Sequence, residues 1–182
     1  FSDRSGEYQL MIEDPSGVKP ARAIALPNPN HYYTPAWSPD SKKLVYHDTD
    51  LKVWVLDIAS GSTKMLAEDP WMVPRRTLVP TWSPDSRWIA YSSHLNSLFR
   101  AIFVVNAESG EKHQITDGLA DAIDPVWDAN GKHLWFLAST DFGLRSQWLD
   151  MTAFPHEETF SLYAALLKKG DASPWLPESD ED

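Results

Sequence analysis

Short apolar runs, rich in β-branched and aromatic residues, alternate along this chain with polar turns that contain glycine or proline. Residues 53–56 (VWVL) lead through Ser60 and Gly61 to residues 64–66 (KML), which predicts a strand, a tight turn and a second strand. The first run is continuously apolar, as expected of a strand that is buried on both faces. The same succession recurs in residues 102–105, 109–110 and 113–115.

A hairpin pattern that contains tryptophan precedes each of these modules. Trp37, Trp82 and Trp127 lie 45 residues apart, and the first two stand in the sequence Pro-x-Trp-Ser-Pro-Asp-Ser. In this turn proline fixes φ and the Asp carboxylate can accept backbone N–H groups. The third copy has Asn130 and Gly131 instead, and both tolerate a positive φ. The structural positions of the repeat are Trp37, Asp40, Trp82, Asp85 and Trp127.

The two patterns together form a unit of four antiparallel strands, which is typical of a β-propeller blade at this repeat length. The chain is therefore predicted to be all-β: a partial β-propeller of four-stranded antiparallel blades, about three and a half in number. A β-sandwich is the alternative, but sandwiches do not repeat their sequence at a fixed period. The predicted units are 1–29 (second half of a blade), 30–69 and 70–118 (two blades), 119–169 (a blade with an insert at 139–159) and 170–182 (an acidic tail or linker).

Composition narrows the classes of partner. The 182 residues carry a net charge of -10, which argues against nucleic acid because binding a phosphate backbone needs clustered Lys and Arg. There is no cysteine, which excludes disulfides and thiolate chemistry.

No apolar run has the length of a membrane span, so no membrane partner is expected, and the compartment stays open between cytoplasm and periplasm. Because the first residue is Phe1, we expect the chain to be cut from something longer.

The Trp-Ser-Pro-Asp-Ser hairpin resembles the PD40 (WD40-like, TolB-type) propeller repeat. Two further segments, Trp-Leu-Asp-Met at 148–151 and Ser-Pro-Trp-Leu-Pro-Glu-Ser-Asp-Glu at 173–181, resemble the propeller region of tricorn-type proteases. This resemblance implies a parent that is a large serine peptidase of the tail-specific (S41) type, with a PDZ domain and a catalytic α/β domain outside this chain. In such parents the propellers are thought to filter or channel peptides toward the active chamber.

Catalytic chemistry is not predicted within the chain. It has no Gly-x-Ser-x-Gly elbow, and every serine of the repeat has a role in a turn. The six histidines show no metal-ligand spacing, and their scatter predicts surface and loop positions. The acidic segments 48–50 and 117–124 are interpreted as solvated turns rather than calcium loops. We therefore expect no catalytic residue, no metal ligand and no cofactor.

The one candidate binding group is the pair Arg75 and Arg76, in the longest connector between units. Guanidinium groups bind carboxylates in a bidentate manner, and the resemblance to tricorn implies that propeller-loop arginines receive a peptide's terminal carboxylate. A surface pair that balances an acidic protein is the alternative.

The sequence thus predicts a non-catalytic propeller fragment of a tricorn-like serine protease that gates or positions peptides or scaffolds the assembly. The alternative functions are a TolB-like platform for protein–protein interaction and an enzymatic propeller fragment. The expected partners are peptides or neighbouring domains of the parent protease. Because an incomplete propeller leaves edge strands unpaired, self-association through exposed blade edges is also expected.

Overall fold

The part of the chain that the structure describes contains thirteen β-strands and no helix. The computed structural model describes residues 1–4, 6–71, 78–141 and 159–176. The strands form four antiparallel sheets that follow one another along the chain without crossovers. We number them sheets 1 to 4.

Each sheet is a meander of strands in sequence order. Sheet 1 comprises β1 (Gln9–Ile12) and β2 (Arg22–Ala25). Sheet 2 comprises β3 (Tyr32–Trp37), β4 (Lys43–Asp48), β5 (Lys52–Asp57) and β6 (Thr63–Glu68). Sheet 3 comprises β7 (Thr81–Trp82), β8 (Trp88–His94), β9 (Arg100–Asn106) and β10 (Lys112–Gln114). Sheet 4 comprises β11 (Asp121–Trp127), β12 (His133–Ser139) and β13 (Ser161–Leu166).

Three apolar cores lie between successive sheets, so the middle strands are buried on both faces. On β4, Leu44 and Tyr46 join the core between sheets 1 and 2, whereas Val45 joins the core between sheets 2 and 3. On β9, Val105 faces sheet 2 and Val104 faces sheet 4. This arrangement explains why these strands are continuously apolar rather than alternating.

The first strands of sheets 2, 3 and 4 lie side by side, since β3 contacts β7 and β7 contacts β11. Sheets that stack face to face around adjacent first strands are blades of a β-propeller. The predicted fold class, an all-β partial propeller, is confirmed. Among the described residues, sheets 1 to 4 contain two, four, four and three strands.

Two tyrosines that lie 45 residues apart, Tyr46 and Tyr91, are almost completely buried in neighbouring cores. Burial raises the pKa of both phenols above the usual value of 10.0. In the unfolded chain the phenols ionise near pH 10, but in the folded state they keep their protons. Stability should therefore fall as the pH rises above about 10, by about 1.4 kcal/mol per pH unit for each tyrosine.

Urea unfolding at about pH 9, 10 and 11 measures this slope. The double variant Tyr46→Phe/Tyr91→Phe should show a shallower decline than the unmodified chain. An identical decline in both proteins would contradict the assignment to these phenols.

Candidate interaction site

The sheets have two chemically different ends. At the first, which we call the turn end, lie the loops that join the first strand of each sheet to the second and the third to the fourth. At the other, the polar end, lie the loops that join the second strand to the third and one sheet to the next. Among the buried polar residues that the structure describes, three are turn-end serines: Ser38, Ser83 and Ser86. The others lie at the polar end: His47, Asp48, Asp69, Ser92, Ser93, His94, Asp121 and Ser139.

The Ser-Pro-Asp-Ser segments form tight turns that a serine hydroxyl holds closed. Ser38 Oγ donates to Asp40 Oδ1 over 2.7 Å and accepts the N–H of Lys43 over 2.9 Å. The Ser38 hydroxyl and the Lys42 N–H hold the pKa of the exposed Asp40 carboxyl below its usual value. Ser83 and Asp85 repeat the contact at 2.5 Å. The carboxylates of Asp40 and Asp85 thus stabilise turns at the two predicted positions.

The repeated tryptophans connect one sheet to the next. Trp82 Nε1 donates to the carbonyl of Ala36 over 3.0 Å, and Trp127 Nε1 donates to the carbonyl of Thr81 over 3.2 Å. In both cases the indole of one sheet binds a carbonyl of the preceding sheet. That carbonyl belongs to the residue just before the repeated tryptophan of the preceding sheet. The side chain of Trp37 is 48% exposed and makes no such bond to a described residue. The sequence indicated the repeat of these residues but not this contact between sheets.

The polar end contains a buried ion pair between sheets 3 and 4. Asp121, the first residue of β11, has a side chain that is 1% exposed. Its Oδ1 accepts the backbone N–H of Arg100 over 2.8 Å and the Arg100 Nε over 2.9 Å. The second oxygen bonds the same guanidinium group. The interpretation of segment 117–124 as a solvated turn is therefore wrong for Asp121, because the fold places this carboxylate beneath Arg100.

A second acid–base pair joins sheets 2 and 3 at the polar end. Asp69 Oδ2 lies 2.8 Å from Nδ1 of His94, and Asp69 Oδ1 accepts the backbone N–H of Trp71 over 3.0 Å. Asp48 is also buried and accepts the indole N–H of Trp54 over 2.8 Å. The expected surface positions of the histidines are thus wrong for His94 and also for His47, and the solvated turn expected at 48–50 is wrong for Asp48.

The first strands of sheets 2 and 4 each contain a bulge with strained backbone. Thr34 and Asp124 have φ values of 45° and 51°, and each precedes a proline. The pairing register with the neighbouring strand shifts at both places. Positive φ in a residue other than glycine is uncommon, and a following proline restricts it further. Both side chains are exposed, and both strands contact β7 of sheet 3.

Several predicted features lie outside the described residues. Arg75 and Arg76 belong to the segment 72–77, and the Trp-Leu-Asp-Met motif belongs to 142–158. Within the described ranges, no group of three or more His, Asp or Glu residues could hold a metal ion. The same ranges contain no helix that is long and apolar enough to cross a membrane.

The stacked meander sheets, the tryptophan bonds between them and the repeated Ser-Asp turns define an open, partial β-propeller. The sequence profile of the PD40 family, described as the TolB beta propeller domain, matches residues 1–153. The chain belongs to this family. No curated protein sequence matches the chain significantly.

Solved structures show the same fold at low sequence identity. The tricorn protease is 20% identical with a TM-score of 0.70, and the alignment covers 91% of this chain but 16% of that one. TolB from Acinetobacter baumannii is 17% identical with a TM-score of 0.55, covering 88% of this chain and 37% of the other. The β-propeller domain of the Trilobed protease from Pyrococcus furiosus is 16% identical with a TM-score of 0.56, covering 86% and 46%. This chain therefore spans less than half of each.

Proposed function

We propose that this chain is a non-catalytic propeller segment that binds and positions extended peptides within a larger serine peptidase of the tricorn type. The observation that carries the proposal is the pair of strained bulges at Thr34 and Asp124, on the first strands of sheets 2 and 4, which both contact the first strand of sheet 3. Strained backbone is retained mainly where exposed groups must be held for binding. The bulges thus present exposed polar side chains along one rigid surface.

The acid–base groups of the polar end support a non-catalytic role. The Asp121 carboxylate is bonded to Arg100, and the Asp69 carboxylate is bonded to His94 and to the backbone of Trp71. Carboxylates engaged in this way stabilise contacts between sheets. The peptidase parentage is supported by the tricorn-like sequence segments and by the similarity in fold to the tricorn protease.

A TolB-like platform for protein–protein interaction is the second candidate function. The family match to the TolB beta propeller domain favours it. The two functions differ in their ligand, which is an unfolded peptide in the first and a folded protein surface in the second.

Fluorescence anisotropy with a pool of labelled, extended peptides tests the proposal. The purified chain should bind them saturably and leave them intact by mass spectrometry. Asp124→Asn should weaken the binding of basic peptides several-fold, because asparagine tolerates the same backbone conformation and removes only the charge. The control is Asp117→Asn, which removes an exposed charge from the adjoining connector.

Each other outcome bears on a stated part of the proposal. Turnover that a serine-directed inhibitor abolishes would overturn the non-catalytic role. Binding of folded partners but of no peptide would favour the TolB-like platform. A gene without PDZ-like and serine-peptidase domains next to this chain would overturn the parentage.

Self-association through blade edges is a further part of the proposal. On β13, the last strand of sheet 4 among the described residues, Leu162, Tyr163 and Leu166 are exposed. An uncovered edge strand with apolar side chains is a template for pairing with another chain. Light scattering should give a mass above 20.6 kDa, and a monomer at high concentration would contradict this part.

A further inference from the structure

A basic side chain links successive sheets at the turn end, at two boundaries. At the boundary of sheets 1 and 2, Arg22 on β2 donates from Nη1 to the carbonyl of Ile58 over 2.6 Å. At the boundary of sheets 2 and 3, Lys64 Nζ on β6 donates to the carbonyl of Glu108 over 2.6 Å. In both cases the cation belongs to the last strand of one sheet, and the acceptor belongs to the turn before the last strand of the next sheet. We call this contact the latch.

The register of the strands identifies the corresponding positions at the third boundary. Lys64 pairs with Val55 on β5, and His113 pairs with Val104 at the equivalent place on β9. His113 therefore stands where Lys64 stands one blade earlier. Its Nε2 lies 3.2 Å from Oε1 of Glu111, in the turn just before β10. It does not reach the next sheet as Lys64 does.

The receiving turn of sheet 4 is correspondingly open. Gly110 lies in the turn that accepts the Lys64 hydrogen bond. A Cβ built on Gly110 would lie 3.4 Å from the Lys64 Nζ. Gly170 holds the equivalent place in the turn after β13 and also has a positive φ, but no described atom lies within 4 Å of that place. Lys168 replaces Glu108 in this turn, so the Lys43–Glu108 ion pair of the second boundary has no counterpart here. The latch is thus missing from the described residues of the third boundary.

A cleft of about 480 Å³ opens between sheets 3 and 4 at this boundary. This volume lies within the range of about 300 to 1,000 Å³ that is typical of small-molecule sites, which is ample for one long side chain. Aromatic and apolar side chains line it together with polar groups of two turns. The residues that line it include Asp85, Trp88, His113, Trp127, Asn130 and Leu167.

We propose that this cleft binds the Lys or Arg side chain of a peptide, which takes the place of the missing latch. The two other boundaries hold a cation in this position, next to backbone carbonyls of the receiving turn. Trp88 and Trp127 offer faces for a cation–π contact and apolar surface for the aliphatic stem. The exposed carboxylate of Asp85 and the net charge of -10 favour a cation over an anion.

This inference rests on the proposed function only in that the ligand is a peptide. The test is an NMR titration of the ¹⁵N-labelled chain with the tripeptide Ala-Arg-Ala, blocked at both ends. The indole signal of Trp88 should shift saturably. The same tripeptide with norleucine or with glutamate in the middle should bind at least tenfold more weakly, because neither supplies a cation.

The decisive variant rebuilds the latch within the chain. His113→Lys should place an ammonium group on the turn carbonyls of sheet 4, raise the melting temperature and weaken Ala-Arg-Ala binding at least tenfold. Gln114→Lys adds the same charge one residue further along β10 and should leave binding within about twofold. Asp85→Asn keeps an acceptor oxygen for the Ser83 hydroxyl and removes only the charge, and it should weaken binding several-fold.

The outcomes separate this inference from the proposed function. Equal binding of the norleucine tripeptide, or equal loss in both lysine variants, would overturn the assignment of a cation site. If Ala-Arg-Ala does not bind while longer peptides bind elsewhere on the chain, this inference fails and the proposed function stands. If no peptide binds at all, both fail.

Discussion

Asp121→Asn is expected to lower the free energy of unfolding by about 3–5 kcal/mol, because it leaves a largely buried guanidinium group without its counter-charge. The side chain of Arg100 is 17% exposed, and both of its bonded partners in this contact are oxygens of Asp121. The amide of asparagine can accept from Arg100 with one oxygen only, so one donor loses its acceptor. The uncompensated charge, rather than the lost bond, causes most of the effect.

Urea unfolding followed by far-ultraviolet circular dichroism measures this loss. The matched control is Asp50→Asn, because Asp50 is 55% exposed and lies 3.5 Å from Lys52. An exposed pair of this kind contributes at most about 1 kcal/mol. The double variant Arg100→Leu/Asp121→Leu should recover much of the stability, since it removes both charges together. Equal losses for Asp121→Asn and Asp50→Asn would show that the ion pair does not hold sheets 3 and 4 together.

Trp82→Ala is expected to cost about 3 kcal/mol, at the lower end of the range for removing a packed tryptophan. The Trp82 ring packs against the core between sheets 2 and 3, and its Nε1 donates to the carbonyl of Ala36. The substitution therefore removes apolar contacts and also the indole hydrogen bond to that carbonyl. Both losses weaken the contact between the same two sheets.

The repeat supplies its own control for this prediction. Trp37 occupies the same position one unit earlier, but its side chain is 48% exposed. Trp37→Ala should therefore cost about 1 kcal/mol or less, as is usual for exposed positions. Denaturant melts of the two variants under one set of conditions give the comparison. If Trp37→Ala proves as costly as Trp82→Ala, the tryptophans act within their own hairpins and not between sheets.

The fold could be predicted because its signals are local. A turn sequence and the apolar runs beside it form each hairpin within a few residues, and the spacing of 45 between tryptophans repeats the hairpin along the chain. Sheets of this kind can bury their apolar faces only against one another, which leads directly to a propeller. The turn roles of Asp40 and Asp85 follow from the same local chemistry.

The burial of charged groups could not be predicted in this way. Asp48 and Asp50 are two residues apart in one polar loop, yet the first is buried and the second is exposed. Asp121 finds its partner 21 residues away, on another sheet. The one usable signal was a lone Arg100 at the start of an apolar run, where a charge must find a counter-ion if the run is buried.

The amino-acid sequence alone therefore determined the repeat, the strands, the turns and the fold class, because each depends on short-range geometry and on the pattern of apolar residues. Only the tertiary structure decided which carboxylates are paired, which tryptophan bonds its neighbour, and where Arg22 and Lys64 link sheets while His113 does not. These features depend on the distance and register between sheets. Packing of the sheets brings together side chains that are far apart in the sequence, and no local sequence pattern relates them.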